Sequence, residues 1–424
     1  MEPLFPGKRF SFFRLFVALL CVTLIVGGTW LWLTFTRTAA KKMPAPWFGG
    51  YVDVTATPQY EFESNVGTVY QNEILSFITG DGCKPSWGGY YSLDSAAHDL
   101  DLDSRVAQVY KTGRTITVSF GGQSGKELAS TCADVDALAK AYQQVIDRYH
   151  VTSIDFDIEA SNLDGYSDAA TRRAQAVAKL VEHAKEQNKD LAVGLTIPAD
   201  RHGMTKPSME TISAFFDSGV SLASVNLMTM DFDVPSTTED QSSLIKESLN
   251  AAHAQYKTML YQRGKLFSVG ATVLIGQNDT KNEFFTLDDA QHINSFALET
   301  SLGRLSMWSL NRDKQCGENY TNTNTIKTFC SGAKQTDGEY ATMLGSGLTG
   351  TPGSIVDFDI SKMDSSKSST QSYPTWSAGT QYRRGDKVIW NGNIYEALGP
   401  SENEQPDSAE NGVDAQWRII GPVL

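Results

Sequence analysis

Ser153-Ile154-Asp155-Phe156-Asp157-Ile158-Glu159-Ala160 alternates acidic and apolar residues without a break. Successive side chains of a β-strand point to opposite faces, so Asp155, Asp157 and Glu159 share one face and Ile154, Phe156 and Ile158 the other. Three carboxylates at two-residue spacing cannot all ionise cheaply on a face shielded from water. Like-charge repulsion and desolvation both drive at least one pKa upward. A carboxyl kept neutral near pH 7 is what a general acid requires. The alternative is a solvated edge strand carrying surface charge, and the surrounding pattern decides between the two.

On either side of this stretch, apolar β-branched runs alternate with segments of helical period. Strands are predicted at Trp47–Thr55, Glu73–Thr79, Thr115–Gly122, the acidic stretch, Leu191–Ile197, Ser224–Asp231, Phe267–Ile275 and Arg304–Leu310. Helices are predicted over 103–112, 133–149, 168–187, 208–218 and 238–262. In the second of these Val135, Leu138, Ala139, Tyr142, Val145, Ile146 and Tyr149 recur at helical spacing. Another helix opens at Thr286, with Asp289 near the capping-box position. Eight strands, mostly separated by helices over about 315 residues, predict an α/β fold of the (β/α)8 TIM-barrel type; an open doubly wound sheet is the second choice. Barrels carry their active residues at the C-terminal ends of the strands, which places Glu159 at the mouth.

The chain has 424 residues, 41% of them hydrophobic, and a formal net charge of −13. That acidity, with no large Lys/Arg cluster, argues against a nucleic-acid partner. Leu15–Phe35 is an apolar run of about 21 residues, long enough to cross a bilayer and longer than the apolar part of a usual signal peptide. Trp30 and Trp32 sit near one end, as interfacial anchors do. A cytoplasmic tail and signal anchor are therefore expected in residues 1–43, with the catalytic domain beyond the membrane, periplasmic or at the cell surface. Cleavage near Ala39-Ala40 would make the protein secreted. The five cysteines and six histidines show no metal-ligand spacing, so neither a metal nor a cofactor is expected. Export favours disulfides, and the expected pairs are Cys83–Cys132 and Cys316–Cys330; free buried thiols are the alternative. A catalytic domain over 44–360 is followed by a Ser-rich linker at 361–373. Residues 374–424 then form a small all-β module holding Trp376, Tyr382, Trp390, Tyr395 and Trp417, with turn signals at Gly385-Asp386 and Asn391-Gly392. A monomer is expected.

The motifs resemble glycoside hydrolase family 18, the chitinase family, over most of residues 44–360. Its signature D-G-x-D-x-D-x-E is matched by Asp155, Asp157 and Glu159, with Thr152 and Ser153 in the leading Asp-Gly positions. Ser119-Phe-Gly-Gly122 is similar to the family's S-x-G-G, and Met228-Thr-Met-Asp231 to its M-x-Y-D, with Met230 in place of tyrosine. Trp308 falls where the family keeps a tryptophan under the sugar. The C-terminal residues resemble the small chitin-binding modules of bacterial chitinases, through the frame W…Y-x-x-G-D-x-V…N-G-x-x-Y…W. Leu398-Gly399-Pro400 stands where such modules often carry exposed tryptophans.

The resemblance implies a chitinase that cleaves β-1,4-linked N-acetylglucosamine polymers with retention, the substrate's own 2-acetamido oxygen acting as nucleophile. Glu159 is then the proton donor. Asp157 orients the acetamido N–H and offsets the developing cation, and Asp155 passes charge or a hydrogen bond to Asp157. Asp231, Met228, Met230, Trp308, Ser119, Gly121, Gly122 and Phe77 are expected around the substrate, the two glycines chiefly as close-packing positions. Met230 cannot donate the hydrogen bond that a tyrosine could. About thirty residues between the last two strands leave no room for an inserted domain, which implies a shallow groove and endo-type cleavage. The rivals are an endo-β-N-acetylglucosaminidase acting on glycoprotein glycans or peptidoglycan-like sugars, and a chitin-binding lectin. Two other motifs fail. Gly121–Lys126 lacks the first glycine and the Ser/Thr of a phosphate loop. Asp99–Asp103 lacks the glycine of a calcium loop, because Ser104 stands there, and reads as a helix start.

Overall fold

The computed structural model describes residues 45–424 apart from 66, 164, 166, 235–239, 265–266, 319–325, 353–372 and 407–414, together with Phe12 and Thr23. The expected membrane span and nearly all of the expected linker lie outside the described residues. Among the described residues no helix is long and apolar enough to cross a membrane.

Eight parallel strands close into a barrel: β1 Trp47–Asp53, β2 Asn72–Asp81, β3 Thr115–Gly121, β4 Ser153–Asp157, β5 Ala192–Asp200, β6 Ser224–Met228, β7 Ser268–Leu274 and β8 Arg304–Trp308. Each strand pairs with the next, and β1 pairs with both β2 and β8, so the sheet has no free edge. Alternation along β4 works as the pattern predicts. Phe156 turns outward and packs on Phe120 and Tyr142 at centroid distances of 5.3 and 5.2 Å. Asp155 and Asp157 turn into the barrel.

The outer helices are α1 Leu93–Asp99, α2 Leu102–Lys111, α3 Val135–Tyr149, α4 Asp168–Glu186, α5 Lys206–Asp217, α6 Gln241–Arg263, α7 Leu287–Thr300 and α8 Glu339–Gly345. Local chemistry starts them where they start. Asp134, Ser167 and Thr205 each accept a bond from the backbone N–H three residues on. At α7, Thr286 and Asp289 form a reciprocal capping box. Each cap is worth about 1 kcal/mol. Both expected disulfides, Cys83–Cys132 and Cys316–Cys330, are present.

No helix is predicted between the first two strands, and the structure agrees. Only one helical turn, Phe62–Ser64, lies between β1 and β2. The C-terminal module packs beside it. Its strands β9 Lys387–Trp390, β10 Asn393–Ala397 and β11 Trp417–Pro422 form an antiparallel sheet, and β11 lies along α2 and the Phe62–Ser64 turn. A Cβ at Gly421 would sit 2.0 Å from the Ser104 carbonyl oxygen, so only glycine permits the approach. Arg418 reaches Glu63, Glu61 and Glu396, and Lys387 pairs with Asp101. Glu63, itself fully buried, is shared between Arg418 and Arg105.

The module's aromatics pack inward. Trp376, Tyr382, Tyr395 and Trp417 are buried and Trp390 is half-buried. Trp376 packs edge-on to Trp390 and Tyr382 to Trp417, at 5.0 and 5.1 Å. A sheet this small has little else from which to build a core, so these rings form that core and offer no open platform for a sugar.

Candidate active site

An open cleft lies at the C-terminal mouth of the barrel. Asp157 from the end of β4 and Glu159 just beyond it line it, as do Met228 from β6, Met230 and Asp231 in the following loop, and Trp308 at the end of β8. Glu159 is two residues past the last ladder pair, but its backbone remains extended, at φ −141° and ψ 177°. The strand's alternation therefore carries through to it, and all three acids keep the inward face.

A side-chain hydrogen bond joins Asp157 to Glu159. Burial pushes the Asp157 carboxyl well above the usual range, and the nearby charges of Glu159 and Asp155 push it further. Burial also raises Glu159, as do Asp231 and Asp279, against the bond from Asp157. Two such carboxyls share one proton more readily than they carry two charges. Asp157 Oδ1 is buried with no hydrogen-bond partner. Asp231 adopts φ +51°, and its Oδ1 accepts from the Thr280 backbone N–H at 3.0 Å and hydroxyl at 3.2 Å. Phe77 stacks on Trp308 at 5.4 Å and 14°, making a flat aromatic wall.

Ser119 acts beneath the cleft instead of lining it, and Gly121 and Gly122 are the close-packing positions that were expected. Ser119 is fully buried and donates to Asp155 at 2.8 Å. Gly121 pairs with Asp157 across β3 and β4, and a Cβ there would lie 2.1 Å from the Asp157 carbonyl oxygen. A Cβ at Gly122 would strike the Phe77 ring at 2.6 Å. Both glycines also have positive φ, at +108° and +85°. Asp155 acts on Asp157 by charge, one of the two routes expected of it. No hydrogen bond joins it to Asp157 among the described residues. Its oxygens are taken by Tyr51, Ser119, Thr196 and Arg304 at 2.6 to 2.8 Å. Tyr51, Thr196, Gln123, Thr272 and Asp279 line the cleft without having been expected. Tyr51 had a signal, being a hydroxyl on an otherwise apolar strand. Arg304, a charge opening a buried strand, had a stronger one.

A closed β/α barrel with coupled carboxyls and an aromatic wall at its C-terminal mouth has the site of a barrel glycosidase, an acid for the bridging oxygen and a face for the sugar ring. Residues 100–275 match the model of glycosyl hydrolases family 18. It is 30% identical over 298 residues to a "probable bifunctional chitinase/lysozyme" of Escherichia coli, covering 66% of this chain and 32% of that protein. It is 28% identical over 287 residues to "endochitinase 11" of Metarhizium anisopliae, covering 65% of this chain and 54% of that protein. The chain thus spans about half or less of the curated relatives it matches. Its fold matches the catalytic domain of a hyperthermophilic chitinase from Pyrococcus furiosus, with TM-score 0.58 and 23% identity over 71% of this chain and 94% of that one. A catalytic-site mutant of active domain 2 of the thermostable chitinase from Pyrococcus furiosus, complexed with chito-oligosaccharides, matches with TM-score 0.59 and 24% identity over the same shares.

Proposed function

We propose that this protein hydrolyses β-1,4-linked N-acetylglucosamine chains with retention of configuration. The observation that carries the reading is the hydrogen-bonded pair of carboxyls, Asp157 and Glu159, lining the cleft beside the Phe77–Trp308 wall. Asp157 is placed to accept the N–H of a 2-acetamido group. The acetamido carbonyl oxygen is then turned toward the anomeric carbon. Glu159 gives its proton to the glycosidic oxygen, the C1–O bond breaks, and the carbonyl oxygen bonds to C1 as a cyclic oxazolinium ion. Glu159, now a carboxylate, takes a proton from water as that water's oxygen bonds to C1 and reopens the ring. The Asp157 carboxylate offsets the cation between the two steps.

Met230 offers no donor to the carbonyl oxygen. Thr272 does: its Oγ1 accepts from the Asn226 amide, which leaves its proton for the cleft. The Phe77–Trp308 wall suits the apolar face of a pyranose. Only about thirty residues, from Leu274 to Arg304, separate β7 from β8, which supports a shallow groove and endo cleavage. The names of the E. coli and Metarhizium relatives support chitin as the substrate class. The disulfides and the apolar run Leu15–Phe35 support export, with the N-terminal segment as anchor.

The test compares wild type with Glu159→Gln on a fluorogenic chitotriose, on glycoprotein and on peptidoglycan. Release from chitotriose by wild type, lost by more than a thousandfold in the variant while oligosaccharide binding persists, is expected. Equal background signals from both proteins would refute the reading, and activity confined to glycoprotein or peptidoglycan would change the substrate.

A further inference from the structure

One buried cation plays no part in the steps above. Arg304 is 1% exposed on the inner face of β8. Its Nη1 donates to Asp155 Oδ1 at 2.6 Å, its Nη2 to Tyr51 Oη at 2.8 Å and its Nε to Ser306 Oγ at 2.8 Å. The rings of Trp47 and Tyr51 lie 5.1 and 5.5 Å from its Cζ. Asp155 receives three more donors, the hydroxyls of Tyr51, Ser119 and Thr196, each at 2.8 Å. Four donors on two oxygens fill the lone pairs of a carboxylate, which is an acceptor only in its ionised form. Asp155 so held has all its lone pairs taken by donors.

The groups facing this pair from the other strands are Ser119 on β3, Thr196 on β5, and Asn226 and Thr272 farther round. Asp157 lies above, with Glu159, Asp231 and Asp279 at the mouth. Among the described residues that line the mouth, all the titratable groups are acids. Arg304 is the cation that acts on Asp157 among the described residues, and it opposes the rise of that carboxyl.

We propose that Arg304 is a positioning residue for the hydrolysis: its guanidinium fixes Asp155 as a spectator anion and so confines the mobile proton to the Asp157–Glu159 pair. This rests on the reading of Glu159 as proton donor. A fixed neutral pair beneath Asp157 leaves the upper two carboxyls one negative charge to share. Without Arg304 the barrel interior holds one more unbalanced negative charge, and the shared proton is bound more tightly. Without the charge of Asp155 the opposite follows.

The experiment follows the Glu159 carboxyl in ligand-free protein by carbon-13 NMR of labelled glutamate, assigned with E159Q, alongside the pH–rate profile on chitotriose. Arg304→Met should move the Glu159 titration and the alkaline limb up by about one pH unit. Asp155→Asn should move both down by a similar amount. The double variant R304M/D155N, neutral at both places, and Arg304→Lys, which keeps the charge, should return near the wild-type position. A merely structural Arg304 would lower stability and kcat at every pH with the midpoints unmoved, and that result overturns the proposal. If R304M does not fold, D155N and the double variant carry the test, and an unshifted D155N overturns it. The NMR titration needs no turnover, so an inactive wild type that shows these shifts would refute the functional reading and leave the charge role standing.

Discussion

Gly121→Ala should damage the chemistry more than binding, and the reason lies in one contact. The added Cβ would start 2.1 Å from the Asp157 carbonyl oxygen, whereas ordinary contact begins near 3.4 Å, so the strands must part by 3.4 − 2.1 = 1.3 Å. The backbone bond from Gly122 N to Asp157 O, 2.9 Å long, is lost or stretched by that movement. Strain at φ +108° costs about 1–2 kcal/mol, the lost bond about 1 and the overpacking about 1–2, so the variant should be about 3–5 kcal/mol less stable. Asp157 belongs to the displaced peptide and Glu159 lies two residues on. A misplacement of about 1 Å lowers rate by roughly a hundredfold. Steady-state kinetics on chitotriose should therefore show kcat down by about that factor with KM changed little, and thermal unfolding a midpoint several degrees lower. Gly122→Ala is the control. Its Cβ presses on the Phe77 ring, not on backbone, so it should disturb the wall against Trp308 and raise KM more than it lowers kcat. A G121A enzyme with wild-type kcat and midpoint would show that β3 and β4 are not held at this distance in solution.

Arg418→Met should lower stability by about 3 kcal/mol, because Glu63 stays buried with one of its two cationic partners gone; hydrogen exchange should rise in β11 and α2 together, and a loss confined to the module would count against the interface. Stability should also fall as pH rises through Glu73, whose buried carboxyl is pushed up to about 7 from 4.5 despite its pairing with Arg114. The folded protein holds this proton between those two values and the unfolded chain does not, so the contribution is complete below about pH 4.5 and lost above about pH 7, an effect on the order of 3 kcal/mol. Urea unfolding of wild type and Glu73→Gln at both ends of that window should give a flatter pH dependence in the variant, and parallel profiles would contradict the assignment.

The barrel was legible because its strands carry periods that need no tertiary knowledge. Asp155, Phe156 and Asp157 had to face alternate sides, and Thr286 announced its helix. Glu159, Asp157, Asp231, Met228, Met230 and Trp308 were legible as neighbours through short motifs, and the cleft brings them together. Contacts between distant strands were not legible. Arg304 and Asp155 are 149 residues apart, and only barrel closure makes them partners. Aromatic content alone could not separate a sugar platform from a core, because Trp376 and Trp417 serve packing with the same rings that binding would use. The lack of a helical period between the first two strands was legible, but that Trp417–Pro422 covers that place was not.

That last arrangement bears on how the protein is made. A ribosome releases the Phe62–Ser64 turn roughly 350 residues before β11, so the barrel's opening segment waits for its lining until those residues are made. Truncations that remove β11 would therefore be felt roughly 350 residues away, where the first two strands are joined.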